Sequence, residues 1–355
     1  MPGLFERMFF RKKPYAHAGD LKHAQVLALF SDSFIGEIRI KPYLNALLSR
    51  GVIADYRIAD RSMSMVGPSP YAFSHIWCQR NVSSAQFSFL KAHRHVPIIY
   101  DLDDLLTQIP DFVASSKRAT HNRITWCLEH AAVVTVASDA LKAHLRQDVA
   151  AMASDVAVLK NGCADATPPA PDGENRQLVW TSSDVPFFLR ENPHFVARLA
   201  DLLNRNDYEA VLIGRFDAAT RGAFAQARHI SHLDFLSFRD YLRSRAGGIA
   251  IAPLPMQLPK RAQQYFDAKS DVKLVDYLSS GLVPIVSRAL PYASSELFMP
   301  SLAATTADEM LQLVERCITA GDAVAQQIDK TIHRTGLLKR REFGELSKTL
   351  DYLFA

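Results

Sequence analysis

The chain has 355 residues, 48% of them apolar and 22% charged, with a formal net charge of +4. That length exceeds one typical core and suits two domains. The composition is that of an ordinary globular protein, and so small a charge excess excludes a general nucleic-acid footprint.

Cys78, Cys127, Cys163 and Cys317 are scattered and form no C-x-x-C pair, so neither a zinc site nor a disulfide framework is expected. Reduced thiols in a cytoplasmic compartment fit best. No apolar run reaches the ~18 residues of a membrane span. Residues 1–23 read as a separate basic tail. Its apolar residues are broken by charge, and its basic cluster follows them rather than leading, unlike a signal peptide. Leu4, Phe5, Met8, Phe9 and Phe10 with Arg7, Arg11, Lys12 and Lys13 suit peripheral contact with an anionic membrane surface. A tail packed on a domain is the alternative.

Residues 24–165 alternate apolar runs with helical patterns, the mark of a parallel sheet with crossovers. Strands are predicted at Gln25–Phe30, Val52–Ile58, Ser74–Cys78, Val96–Tyr100, Ala132–Val136 and Val156–Leu159. Helices are predicted near 37–49, 83–93, 117–130 and 138–147. The segment 160–173 combines Asn-Gly, Pro-Pro and Asp-Gly and reads as a linker. Residues 166–335 restart the pattern, with strands at Gln177–Thr181, Ala210–Ile213, Ile230–Phe235, Gly248–Ala252 and Val283–Val286. Helices there fall near 193–204, 218–226, 238–245 and 271–280, and from about 306 the chain reads as helices alone.

In open parallel sheets ligands bind beyond the carboxyl ends of the strands. Four loops are therefore candidates. In Y-D-L-D-D-L-L, 100–106, three acids in four positions follow a strand and repel one another, which raises the pKa of at least one. Side-chain alternation sends Asp101 and Asp103 toward the cleft, and leaves Asp104 to cap the next helix. In S-D-S-F-I-G-E-I-R-I, 31–40, Gly36 permits close backbone approach, and Arg39 reads equally well as a helix-surface charge. Arg190 and Arg215 are the basic candidates after strands of the second half. The proline-rich run 252–259 leads into Gln264, Phe266 and Lys269.

The segment D-V-K-L-V-D-Y-L-S-S-G-L-V-P-I-V-S, 271–287, is the most specific of all. It reads as a helix capped by Ser270 or Asp271, a left-handed stop at Gly281 and a buried strand. Leu274, Val275 and Leu278 share one face. Lys269, Ser270 and the first-turn amides converge where an anion would sit, and Asp276 is placed to accept from a diol. A solvated Lys273–Asp276 pair is the plainer alternative.

This segment resembles the nucleotide-sugar helix of GT-B glycosyltransferases, whose hallmark is K-x-x-E-Y/A-x-A-x-G-x-P. Here it appears as Lys273, Asp276, Tyr277, Ser279, Gly281 and Pro284, with V-P for the commoner x-P. Asp276 stands where Glu is usual, and the first acidic residue of that family falls on Ala268. A-K-S-D-V-K at 268–273 is close to the K-S-D-x-K form of some bacterial relatives. The D-L-D-D and N-G-x-D segments, at 101–104 and 161–164, also resemble those enzymes, although the last position here is Ala164.

The resemblance implies an α/β protein of two Rossmann-like domains facing a cleft. Residues 24–165 would form the acceptor domain and 166–335 the nucleotide-sugar domain, with 336–355 returning to the first. It implies a retaining, metal-independent hexosyltransferase-like enzyme that needs no cofactor. The donor would be a nucleotide diphosphate sugar and the acceptor a glycan, lipid-linked or other hydroxyl compound. The implied setting is polysaccharide assembly in the cytoplasm, at the inner face of the membrane. Gly36, Arg190, Lys269, Ser270, Asp271, Lys273 and Asp276 would bind the donor. Asp101, Asp103 and Lys269 would serve catalysis. A sugar-nucleotide epimerase or phosphorylase, and a degenerate binding protein, are the rival readings.

Overall fold

The computed structural model describes residues 24–30, 33–63, 73–110, 118–148, 155–170, 175–182, 187–224, 227–231 and 233–354, with the side chains of 33–35, 235 and 236 excepted. The tail 1–23 and the first two residues of the 31–40 segment therefore lie outside the described residues.

Two six-stranded parallel sheets organise the chain. The first contains β1 (Ala24–Leu29), β2 (Ile53–Ala59), β3 (His75–Gln79), β4 (Ile98–Leu102), β5 (Val133–Val136) and β6 (Asp155–Val158). Its crossovers carry α1 (Ser33–Arg39), α2 (Lys41–Ser49), α3 (Ser84–Ala92), α4 (Arg118–His130) and α5 (Asp139–Asp148). Ser83 and Gln86 close a reciprocal capping box at the start of α3. Strand order is β2-β1-β3-β4-β5-β6, so the winding reverses between β1 and β3. Crevices open at such reversals.

The second sheet contains β7 (Gln177–Ser182), β8 (Glu209–Gly214), β9 (Arg228–Ile230), β10 (Ile249–Ala252), β11 (Val283–Ser287) and β12 (Ala303–Ala304). Its helices are α6 (Phe188–Glu191), α7 (Phe195–Arg205), α8 (Ala218–Ala223), α9 (Phe235–Arg243), α10 (Lys260–Asp267), α11 (Val272–Ser279) and α12 (Leu290–Ala293). The order β12-β11-β10-β7-β8-β9 reverses between β7 and β10, the doubly wound arrangement of dinucleotide-binding sheets. Strands buried on both faces read as apolar runs, which is why β10 and β11 were legible.

After β12 come α13 (Ala307–Thr319) and α14 (Gly321–Ile328). The chain then returns to the first sheet. There α15 (Phe343–Ser347) and a 3-10 turn, Lys348–Leu353, cover α2. Phe343, Leu350 and Leu353 join Tyr43, Leu44 and Leu47 in one core cluster. The Tyr43 and Phe343 rings meet edge-on at 5.1 Å.

Three departures from the sequence reading bear on the site. The strand expected at Ile230–Phe235 is β9, ending at Ile230, because Asp234 caps α9 by accepting from the Ser237 amide. The stretch read as a run into Lys269 contains the helix α10, whose Tyr265 and Phe266 pack into the core of the first sheet. Finally β4 runs to Leu102, two residues beyond the expected end, and so draws Asp101 into the sheet.

Candidate functional site

Each sheet presents its crevice at the carboxyl ends of its strands, and the two crevices differ in charge. On the second sheet, α11 lies over the β7/β10 reversal. The Tyr277 hydroxyl ties the two strands together, bonding the Thr181 hydroxyl at 2.7 Å and the Ile251 carbonyl at 3.3 Å. Gly281 stops the helix in the left-handed region at φ 75, as its spacing predicts.

Lys273 projects from the first turn of α11 and donates to the Thr181 carbonyl at 2.6 Å. It is half-buried, and among the described residues no carboxylate pairs with it. Burial, with the nearby Lys269 charge adding to it, pushes its pKa down to about 8. At the same edge of this sheet a cavity of about 290 Å³ is lined by Phe188, Glu191 and Asn192, by Leu254 and Met256, and by Thr305 and Thr306. These residues follow β7, β10 and β12 respectively.

The other donor candidates are placed differently. Asp276 is buried and ion-paired with Arg239 at 3.0 Å, and Arg239 also donates to the Gly162 carbonyl of the linker. Both Arg239–Asp276 bonds fall on Oδ1 of Asp276. Burial raises the Asp276 pKa, and Arg239 offsets part of that rise. Asp271 sits at the helix N-cap but makes no side-chain cap bond. Its carboxylate accepts instead from Arg341 at 2.5 Å and from Ser295 at 2.6 Å. The expected Asp271 cap is therefore replaced by a buried ion pair, which is the stronger partner. Ser270 is half-buried in the turn before the helix. Arg190 is exposed on α6, its guanidinium over the Phe187 ring at 4.5 Å. Gly36 lies within α1 rather than in a loop, where an added Cβ would come within 2.2 Å of the Phe30 ring. Helix packing thus accounts for that glycine without a ligand.

The crevice of the first sheet is crowded with paired charge. Asp101 is fully enclosed. Its two oxygens accept from Arg39 at 2.7 and 2.9 Å, and Thr135 adds a bond of 2.6 Å. The expectation that Asp101 faces the cleft is overturned, since β4 extends through it and pairs it with Thr135 of β5. Arg39, read as a possible surface charge, is 2% exposed. It also bonds the Asn161 side chain at 3.2 Å.

Asp103 and Asp104 lie just beyond the strand. Arg80, which follows β3, is 3.2 Å from Asp103 and 2.9 Å from Asp104. Lys269 reaches across from the second half and meets Asp104 at 3.0 Å. Asp104 therefore caps no helix; the residues after it form turns, and two cations hold its carboxylate. Burial pushes Asp104 up, but Lys269 and Arg80 outweigh it and leave its pKa below the usual range. Asp103 is pushed above that range, chiefly by burial and further by Asp104, against the pull of Arg80. For Lys269, burial is outweighed by Asp104, and its pKa rises.

Lys269, Asp103 and Asp104 are thus brought together, whereas Asp101, Asp276 and Arg190 are not part of that cluster. The sequence reading missed Arg80, Arg239 and Arg341. Arg80 carried a usable signal: it directly follows a predicted strand and borders the same crevice as the aspartates. Gln79 and Asn81 flank it, and among the described residues both polar side-chain atoms of Gln79 and Oδ1 of Asn81 have no hydrogen-bond partner.

No protein-family model matches the sequence, and no curated protein matches it. Solved structures do. Sucrose-phosphate synthase from Thermosynechococcus elongatus is similar at a TM-score of 0.61 and 12% identity, over 93% of this chain and 98% of that one. HepE of Anabaena, in complex with UDP and glucose, gives 0.59 and 13% over 93% and 99%. MnaA of S. aureus, in a co-structure with UDP, gives 0.53 and 11% over 93% and 97%. With two parallel six-stranded sheets in one chain, the likeness shows the GT-B fold.

Proposed function

We propose that this GT-B chain transfers a sugar from a nucleoside diphosphate sugar to a hydroxyl of a glycan, lipid-linked or similar acceptor. One observation carries the reading. Lys273 is a half-buried cation without a described carboxylate partner, held over the crevice of a doubly wound sheet. A cation that burial disfavours, its pKa lowered to about 8, is stabilised by an arriving anion. The cavity at this strand edge has apolar walls of phenylalanine, leucine and methionine with asparagine, glutamine, glutamate and threonine as polar groups, a mixture that suits a nucleoside. UDP is the first nucleotide to test, because structures with this fold hold it.

The transfer is read as retaining. The bond from the anomeric carbon to the β-phosphate oxygen breaks. The acceptor oxygen bonds to that carbon on the same face, and its proton passes to the departing phosphate. Such a step needs orientation and charge stabilisation more than a protein base. Lys269, Lys273 and the first amides of α11 would stabilise the diphosphate. Asp103 would orient the acceptor hydroxyl, while the enclosed Asp101 braces that edge through Arg39. The protein's own cations would serve the diphosphate, so turnover should persist in excess EDTA.

The test is release of nucleotide from a panel of UDP-, GDP-, ADP- and dTDP-sugars, with and without hydroxyl acceptors. Release from at least one donor, lost in Lys273→Ala, is the expected result. A panel without any turnover or binding sinks the reading. Among the described residues no helix is long and apolar enough to cross a membrane. Contact with an anionic surface through residues 1–23 remains part of the proposal. Co-sedimentation with phosphatidylglycerol vesicles should be lost when that tail is removed.

A further inference from the structure

We infer that Arg80 is a further phosphate-binding residue, which with Lys269 forms a two-sided clamp on the donor diphosphate, and that the Asp104 carboxylate fills this clamp in the ligand-free protein. The inference rests on the donor reading above.

Two cations from different halves of the chain converge on one carboxylate. Arg80 meets Oδ2 of Asp104 at 2.9 Å and Lys269 meets Oδ1 at 3.0 Å. A phosphate oxygen pair in the same place would meet both cations with similar geometry, since guanidinium and ammonium groups bind carboxylate and phosphate alike. The place is reachable: the side chains of Arg80, Lys269 and Asp104 are 19%, 29% and 17% exposed. It also lies beyond the carboxyl ends of β3 and β4, the edge at which ligands of open sheets bind.

The backbone of Arg80 points the same way. It is held at φ 50, a conformation that few non-glycine residues adopt. The Tyr100 hydroxyl donates to its carbonyl at 2.9 Å, and its amide donates to the Asp101 carbonyl at 2.9 Å. Glycine would relieve that strain, so the side chain is what the position retains at a cost. On both sides polar groups are left unmatched among the described residues, with Gln79 fully enclosed and neither of its polar atoms bonded there. Buried polar groups are rarely left so without a ligand or water to meet them.

The clamp has a consequence of opposite signs. Arg80 helps the diphosphate, whereas Asp104 competes with it for Lys269. Calorimetric titration with UDP and with uridine separates the two. Arg80→Met should weaken UDP about tenfold or more and leave uridine unchanged. Arg80→Lys, which keeps the charge and loses the fork, should recover part of that loss. Asp104→Asn should tighten UDP severalfold. Equal loss for UDP and uridine, or a lower melting temperature with an unchanged UDP-to-uridine ratio, would make Arg80 a structural ion partner and overturn the clamp alone. A wild-type protein that binds none of UDP, GDP and ADP overturns the donor reading and the clamp together.

Discussion

The two crevices of this protein handle charge in opposite ways. At the edge of the first sheet every described aspartate of the D-L-D-D segment has a cation within 3.2 Å. At the edge of the second, Lys273 has only a carbonyl among the described residues. Buried charges persist when paired, because desolvation costs several kcal/mol per ion otherwise. The aspartates of the first edge are thus paired without a ligand, and the second edge leaves a cation at a penalty that an anion would remove. Lys269 joins the two, because it belongs to the second half and pairs with the first.

The largest effect should come from breaking the first edge. Arg39→Met leaves the enclosed Asp101 carboxylate without its bidentate partner. A loss of about 3–5 kcal/mol in urea unfolding is expected, the scale of stranding a buried charge. A loss below about 1 kcal/mol would show that Thr135 and water suffice for Asp101.

Next in size is the second edge. Lys273→Met should weaken UDP by roughly ten- to a hundredfold, since a charge-assisted contact is worth about 1.5–3 kcal/mol. Uridine binding should not change. Stability should hold or rise, because the substitution removes a desolvated cation. If unfolding shifts to lower urea while UDP binding is spared, the comparison between the edges is wrong.

The same lysine sets a pH dependence. Its folded pKa of about 8 lies below its ordinary value, so the neutral form is favoured by folding. The stability penalty is complete below about pH 8 and fades as pH rises toward the ordinary lysine range. UDP should prefer the charged form, so binding near pH 8–9 should take up a proton and weaken as pH climbs. Titrations in two buffers of different ionisation enthalpy measure that uptake directly. Zero uptake would place Lys273 away from the phosphates.

The smallest effect is expected at Asp276, which resembles a ribose ligand and yet is tied to Arg239. Asp276→Asn keeps one acceptor for Arg239 and loses the charge. A loss of about 1 kcal/mol in stability and a donor KM raised roughly fivefold are expected. Unchanged kinetics with the stability loss alone would leave Asp276 as a linker brace.

Much of the fold was legible because burial on both faces writes itself as apolar runs. β1 to β8, β10 and β11 fall within two residues of their predicted positions. Where a local signal was overlooked, the reading failed: Asp234 caps α9 and ends the strand reading early. The site was less legible. Lys273 and Gly281 stand out by local spacing on one helix, whereas Asp101 does not, because a two-residue extension of β4 turns a loop carboxylate into a sheet residue.

By itself the sequence determined the alternation of strand and helix, the glycine-stopped segment around α11 and the aspartates clustered at the end of β4. These are local, set by side-chain periodicity and backbone preference. Only the tertiary structure decided which cation meets which carboxylate. Arg39 pairs with Asp101, Arg80 and Lys269 with Asp104, Arg239 with Asp276, and Arg341 with Asp271. Those partners are distant in the chain, and no periodicity encodes them. They meet because sheet order and the returning C-terminal segment bring strand ends and helix starts to one edge, where buried charge is stable only in pairs.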